Sequence, residues 1–317
     1  MFLGRSGKAR HKNVRVPFGP IDNSFVAEYR GKTIIFDGLP RPNTKDSPAL
    51  LWMDNKGIMK EKFKKQGLPV ADGGVAFTKR GALKIFNRIT KPIITKPNLG
   101  SRSRHTMIHL GTPEELIVGF KKAKKISPLV IIEEELRGYL FRGTLVGGKL
   151  AGVIKRDQPE VIGDGVHTVR ELLEVENKRP ERSGPIFHKI ILDHEAELEL
   201  ERQNIKINDV PAKGREVVFS QKTSRGCGGT TTEVTEITHP DNVEMLEHVG
   251  RFLNDPLIGV DFIIEDITKS WKEEQHSGII ECNSLPFIDL HHYPLFGPPQ
   301  NVAGKLWDLV LPESKMS

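Results

Sequence analysis

Residues 257–264 read LIGVDFII, and residues 278–284 read GIIECNS. Both stretches are short, apolar and rich in β-branched residues, the composition of strands. Side chains alternate between the two faces of a strand. Ile258, Val260, Phe262 and Ile264 therefore share one face, and Asp261 lies on the other beside Gly259 and Ile263. By the same alternation Glu281 and Asn283 share a face, with Ile279 as apolar neighbour, while Cys282 turns the other way, toward a core. If the two strands pair as a hairpin, Asp261, Glu281 and Asn283 converge on one side of a sheet. They present hard oxygen ligands of the kind magnesium takes, using one or two carboxylates and filling the rest with water and phosphate. The other reading is an exposed sheet face that carries polar residues, although Gly259 and Ile279 make it less polar than such a face.

Outward from this pair, the chain mixes strands and helices. Strands are read in two pieces over 25–37 around Arg30-Gly31, in PIITK ending at Lys96, in LVIIE ending at Glu133, and in a hairpin over 140–155 around Gly147-Gly148. Helical periodicity covers 55–66, 80–89, 113–124, 240–253 and 300–311, and a T-x-x-E capping box at Thr168 and Glu171 opens one more helix. The stretch LPRPNTKDSP (39–48) reads as a linker. Residues 178–215 are so highly charged that they read as a surface excursion, and EVVFS (216–220) as a strand running into the glycine-rich loop KTSRGCGGT (222–230). The absence of a regular βαβ alternation points to α+β lobes rather than a doubly wound sheet.

Composition narrows the class. The chain has 317 residues, 37% hydrophobic and 28% charged, which excludes fibrous and wholly disordered proteins and is ample for two lobes. No apolar run is long enough for a membrane span, and the N-terminus MFLGRSGKARHKNV lacks the apolar centre of a secretory signal. Two cysteines, Cys227 and Cys282, form neither a disulfide framework nor a zinc set, so a cytoplasmic setting is expected. Neither cysteine has an activating histidine beside it in sequence. The net charge is +6, and Arg5, Lys8, Arg10, Lys12 and Arg15 form a basic arm. Without interleaved aromatic residues this reads as a solvated arm rather than a nucleic-acid surface; the nucleic-acid reading predicts strongly salt-dependent binding.

Two lysines stand at element ends. Lys96 closes an apolar strand just before Pro97, and Lys56 begins a helix. A lysine ammonium suits a point contact to phosphate, although either alone is also an ordinary surface lysine. GRSGKAR lacks P-loop spacing and no G-x-G-x-x-G occurs, so a nucleotide would be held in another way. The pair His291-His292 has no second cluster at zinc spacing, which favours a packing or substrate role.

Taken in order, these pieces resemble the ATP-grasp superfamily, most closely the ATP-grasp domain of cyanophycin synthetases, and also D-alanine–D-alanine ligases and the ATP-grasp part of bifunctional glutathione synthetases. The resemblance runs over about 54–311 and is carried by DNKGIMKEKFKKQGLPVA, IITKPN, VIIEEELRG, VIGDGVHTVRELLE, GGTTTEVTEITHPDN, GVDFII, IIECNSLP and HHYP. It implies an α+β fold of two lobes gripping a nucleotide: an N-terminal arm, hairpin and linker at 1–53, a nucleotide lobe at about 54–140, a metal and substrate lobe at about 141–311, and a tail at 312–317. By that likeness Lys56 and Lys96 contact ATP phosphates. Glu133 lies at the adenine, with the backbone of Glu134 and Leu136 as hinge. Asp261, Glu281 and Asn283 hold one or two magnesium ions, manganese being able to substitute. Arg156 lies near the phosphoryl group or acyl substrate, and the loop from Lys222 to Gly229 covers the site and brings backbone N–H groups to phosphate.

Some positions depart from the pattern. Leu140 stands where relatives carry an acid for the ribose, and GSRSRHT (100–106) has one glycine where they have several, with Arg102 and Arg104 as substitute phosphate contacts. Phe287 and Asp289 replace a glycine and an arginine, so Asp289 suits a cationic or amine group, with His291 as a further substrate candidate. The expected activity is an ATP-dependent carboxylate–amine ligase working through an acylphosphate on small-molecule or peptide substrates. The alternative is an inactive ATP-binding sensor or scaffold. Assembly of like chains is left open.

Overall fold

The structure, a computed structural model, describes residues 25–36, 41–42, 48–100 and 105–315. The basic arm at 5–15 and Arg102 and Arg104 lie outside the described residues. In chain order the first elements are β1 (Phe25–Tyr29), β2 (Lys32–Phe36), α1 (Lys56–Lys65), β3 (Gly73–Ala76), α2 (Lys79–Arg88), β4 (Ile93–Pro97), β5 (Met107–Leu110) and α3 (Pro113–Ala123). Then come β6 (Val130–Glu134), β7 (Tyr139–Val146), β8 (Lys149–Asp157), β9 (Glu160–Ile162), α4 (Val169–Asn177), α5 (His194–Arg202), β10 (Glu216–Val218) and β11 (Thr230–Glu233). The last are α6 (Pro240–Leu253), β12 (Leu257–Ile264), β13 (Gly278–Asn283), α7 (Asp289–His292) and α8 (Val302–Val310).

The chain divides into two compact units. One is made of Met1–Val153, Thr235–His292 and Gln300–Ser317, the other of Ile154–Val234 and Tyr293–Pro299. Residues 54–140 lie inside the larger unit.

In the larger unit, β3, β6, β4 and β5 form an antiparallel sheet in that spatial order. The apolar sides of α2 and α3 bury Phe86, Leu116 and Phe120 with Ile93 and Ile132 of this sheet. Helix α3 opens with a capping box, Thr112 accepting from the Glu115 N–H while the Glu115 carboxylate accepts from the Thr112 N–H. A second sheet places β7 beside β12 and β12 beside β13, both pairs antiparallel. The hairpin β1–β2 turns at Arg30-Gly31, both in the left-handed region, and stacks Phe25 on Phe36 against Trp307 of α8. Of the linker expected at 39–48, residues 39–40 and 43–47 lie outside the described residues; the buried Arg41 guanidinium pairs with Asp255 at 2.5 Å and donates to the Ser284 carbonyl at 3.2 Å.

In the smaller unit, β9 pairs with β10, and β11 pairs with residues 154–157 of β8. Its core gathers Val161, Val169, Leu173, Ile190, Ala196, Leu200, Ile205, Val217 and Phe219. The reading of 178–215 as a surface excursion is therefore corrected: the segment supplies α5 and four of these core residues. Its apolar residues are thinly spaced among charges, and two of the charged ones, Arg182 and Glu199, are themselves buried with partners.

Candidate functional site

The register of β12 and β13 sets Asp261 opposite Glu281 and Gly259 opposite Asn283. Directly opposed residues share a sheet face, so the three oxygen-bearing side chains do lie on one side. One detail differs from strict alternation. A register shift after Asp261 sets Ile279 opposite Phe262. The bulge moves Ile279 off the polar face and onto the row of the core residue Phe262, where it is buried. Gly259 is dictated by packing, since a Cβ there would lie 2.8 Å from Pro286 Cβ.

On its other side Asp261 faces Arg142 of β7. Arg142 donates through Nε and Nη2 to the two Asp261 oxygens, each at 2.6 Å, and both residues are buried. Burial opposes the Arg142 charge, and Asp261 outweighs it, so the guanidinium is held more firmly protonated than usual. The half-buried Glu281 side chain makes no hydrogen bond or ion pair among the described residues, and the buried Nδ2 of Asn283 has no hydrogen-bond partner there either. Cys282 points into the core, where burial and then Asp261 and Glu281 push its thiol well up.

This donor set fits a hard cation. Reversing the Asn283 amide turns its oxygen toward the place where Nδ2 is orphaned. Glu281 adds an uncommitted carboxylate, and Asp261 a carboxylate already half neutralised by Arg142. Among the described residues no group of three or more His, Cys, Asp or Glu is placed to hold a metal. One or two carboxylates with an amide is the modest set that magnesium takes.

Lys56 and Lys96 come together through Asn98. Lys96 lies near the end of β4, and Asn98 just after it accepts the Lys56 N–H at its carbonyl, 3.2 Å, and the Gly57 N–H at its side-chain oxygen, 2.9 Å. Glycine at 57 allows this approach, because a Cβ there would meet Val75 at 2.6 Å. The Lys56 ammonium donates to the Gly100 carbonyl at 3.0 Å. Burial lowers its pKa, Glu281 partly offsets this, and Lys96 lowers it further. The lysine pair and the carboxylate of β13 thus lie within electrostatic reach of one another.

Glu133 is buried among lysines. Lys96 pairs with Oε1 at 2.5 Å and Lys60 of α1 with Oε2. Burial alone would raise the Glu133 pKa, but Lys96 and Lys60 more than offset it and hold the carboxyl at about 2. The Glu134 N–H donates to the Asp72 carbonyl and its side chain accepts from the Asp72 N–H, both at 2.9 Å. On either side of Leu136, the Glu135 N–H is committed to Pro92 and that of Arg137 to His276.

Other expected residues lie elsewhere. His291 is fully buried, with Nε2 at 2.8 Å from Thr144 Oγ1 and its ring packed over Gly152, where a Cβ would lie 2.6 Å from Nδ1. It is a core residue. Asp289 opens α7, and Phe287 is exposed. Arg156 belongs to the smaller unit, on β8 opposite Thr231. So does the loop 222–229, four of whose N–H groups are bonded within the loop. Those of Gly226, Cys227, Gly228 and Gly229 donate to Ser224 and Arg225 within the loop.

Two residues escaped sequence reading, Lys60 and Arg142. Lys60 follows Lys56 by four positions and precedes Phe63 by three, so the buried stripe Lys56, Met59, Phe63 already runs past it. Arg142 carries only a parity signal, an arginine inside the apolar strand LFRGTLV.

Comparison with known proteins places this geometry among relatives. No family model matches the chain. It is 32% identical over 227 residues to a cyanophycin synthetase of Nostoc sp., covering 71% of this chain and 25% of that protein. It is 27% identical over 275 residues to the bifunctional glutathione biosynthesis protein of Streptococcus agalactiae, covering 83% of this chain and 36% of that protein. The chain thus spans a quarter to about a third of the length of these curated relatives. The crystal structure of a bifunctional glutathione synthetase from Pasteurella multocida has the same fold, with a TM-score of 0.71 at 22% identity over 95% of this chain and 42% of that one.

Proposed function

We propose that this chain, which belongs to the ATP-grasp superfamily, is a ligase that joins a carboxylate to an amine with conversion of ATP to ADP and phosphate. The observation that carries the reading is the strand pair that sets Asp261, Glu281 and Asn283 on one face, with Lys56 and Lys96 brought together through Asn98 and Glu281 acting electrostatically on Lys56. Cyanophycin and glutathione synthetases among its relatives support small-molecule or peptide carboxylate and amine substrates.

In this reading a substrate carboxylate oxygen attacks the γ-phosphorus of ATP, the bond to the β-phosphate oxygen breaks, and ADP leaves. The amine nitrogen then attacks the acylphosphate carbonyl. Phosphate departs, the nitrogen loses a proton to solvent, and an amide remains. Carboxylate and phosphate repel, so the work of this chain is to bring cations to them. Lys56 and Lys96 neutralise the phosphates. Arg156 is assigned to the phosphoryl group or acyl substrate by resemblance, and Asp289 to the amine. Glu281 and Asn283, with Asp261 pinned by Arg142, would hold magnesium, which supplies charge neutralisation at the phosphates when bound. A cytoplasmic setting belongs to the same reading, supported by two cysteines that make no disulfide framework.

The test is ADP release with magnesium, ATP and pooled amino acids and short peptides, with wild type beside Glu281→Gln. Pool-dependent release that falls by about 10²–10³ in a folded mutant is expected. Unchanged turnover would sink the metal assignment. Nucleotide binding without release from any pool would favour the inactive binding module.

A further inference from the structure

The two lysines on Glu133 are an unbalanced cluster. Lys60 and Lys96 bring two positive charges to one buried carboxylate, and all three side chains are at least 87% buried, with exposures of 13%, 9% and 2%. A Lys96–Glu133 pair alone would be neutral and would satisfy both partners. Adding Lys60 gains one ion pair but takes a second ammonium out of water, and its pKa is lowered by burial despite Glu133. Buried charge without a balancing partner is costly. Lys56 is a further ammonium that Lys96 repels, although Glu281 acts on it more strongly in the opposite sense. Such an arrangement is stable but incomplete, and an anion bound at Lys96 completes it.

We propose that Lys60 is a positioning residue for polyphosphate binding. Through Glu133 it fixes Lys96, and it supplies the net positive charge that a Lys96–Glu133 pair lacks. Glu133 is then a holder of the phosphate lysine, with both oxygens engaged, rather than a group turned to the base. The inference rests on the nucleotide-binding reading above and extends it to a residue that need not touch the nucleotide. Because Lys60 pairs only with Glu133 among the described residues, its effect should depend on the charge of residue 133.

The experiment is direct calorimetric binding of ADP, inorganic tripolyphosphate and adenosine to the full chain in EDTA at fixed salt, so that neither magnesium nor turnover enters. Lys60→Met is expected to weaken ADP and tripolyphosphate about tenfold, the scale of one unit charge acting at a few ångströms in a partly screened site, and to leave adenosine unchanged. Lys60→Arg should restore binding. The decisive variant is Lys60→Met with Glu133→Gln, which returns the cluster to a surplus of one and should recover most of the loss. Should Lys60→Met fail to fold, Glu133→Gln alone is read instead and should bind tripolyphosphate more tightly than wild type. Wild-type affinity in Lys60→Met, a double variant no better than the single, or weaker tripolyphosphate binding by Glu133→Gln would overturn the proposal. A wild type that binds neither ADP nor tripolyphosphate would remove the nucleotide reading itself, which distinguishes the two failures.

Discussion

Arg142 and Arg182 are both buried arginines, one in each unit, and they are used differently. Arg142 spends Nε and Nη2 on a single carboxylate, Asp261, in a strand-to-strand pair. Arg182 spreads its donors, with Nε and Nη2 on Glu176 and Nη1 on the carbonyls of His188 and Gly228. The first orders a carboxylate of the candidate site. The second ties a helix, a connecting segment and the glycine-rich loop together, replacing backbone partners that irregular chain cannot supply to itself. A buried arginine is thus no mark of a site. What distinguishes Arg142 is the company beyond its pair, the uncommitted Glu281 and the orphaned Asn283 amide.

The contrast can be broken at either arginine. Arg142→Met removes the bidentate partner of the buried Asp261 and is expected to cost about 3–5 kcal/mol, read by denaturant unfolding. Replacing Asp261 as well, with Leu, should return much of that. A smaller cost would mean that water reaches the carboxylate.

Arg182→Met is expected to cost about 3 kcal/mol, toward the low end because Glu176 keeps Arg179 as a second partner. Hydrogen exchange should show faster opening of 178–229 while β12 and β13 stay protected. Uniform acceleration across both units would show that Arg182 supports more than its own unit.

Acid sharpens the comparison. The Glu133 carboxyl lies at about 2 against an ordinary 4.5. Its stabilisation is present above the unfolded value and is lost as pH falls from 4.5 toward 2, about 3 kcal/mol in all. Glu133→Gln should flatten that part of the stability profile. Glu160 in the smaller unit runs the other way: burial, then Asp157 and Glu216, push it to about 7. Its contribution is present below pH 4.5 and lost as pH rises through 7. Glu160→Gln should remove a small decline in stability across that window, the least of these effects since the group is partly exposed.

Much of the site was legible because strand parity is local. Alternation alone put Asp261, Glu281 and Asn283 on one face and turned Cys282 inward, and the register agrees. Helix ends were legible for the same reason, as at Thr168 and Glu171, whose reciprocal bonds are present. The bulge after Asp261 was not, because an extra residue on one strand is set by its partner. In the loop 222–229 only the fold shows that the N–H groups of Gly226, Cys227, Gly228 and Gly229 are taken by Ser224 and Arg225. His291 looked available until the fold closed it against Thr144 and Gly152.

The sequence by itself determined most of the elements and their faces, which follow from periodicity, capping and turn chemistry over a few residues. The ATP-grasp architecture came from the resemblance of the ordered motifs, and the helix and core residues within 178–215 were missed. Tertiary structure alone decided which charges meet. Arg142 reaches Asp261 across 119 residues, and Lys60 reaches Glu133 across 73. A buried charge is stable only with a partner, and in these pairs the partner is distant in sequence and brought close by sheet register and helix packing.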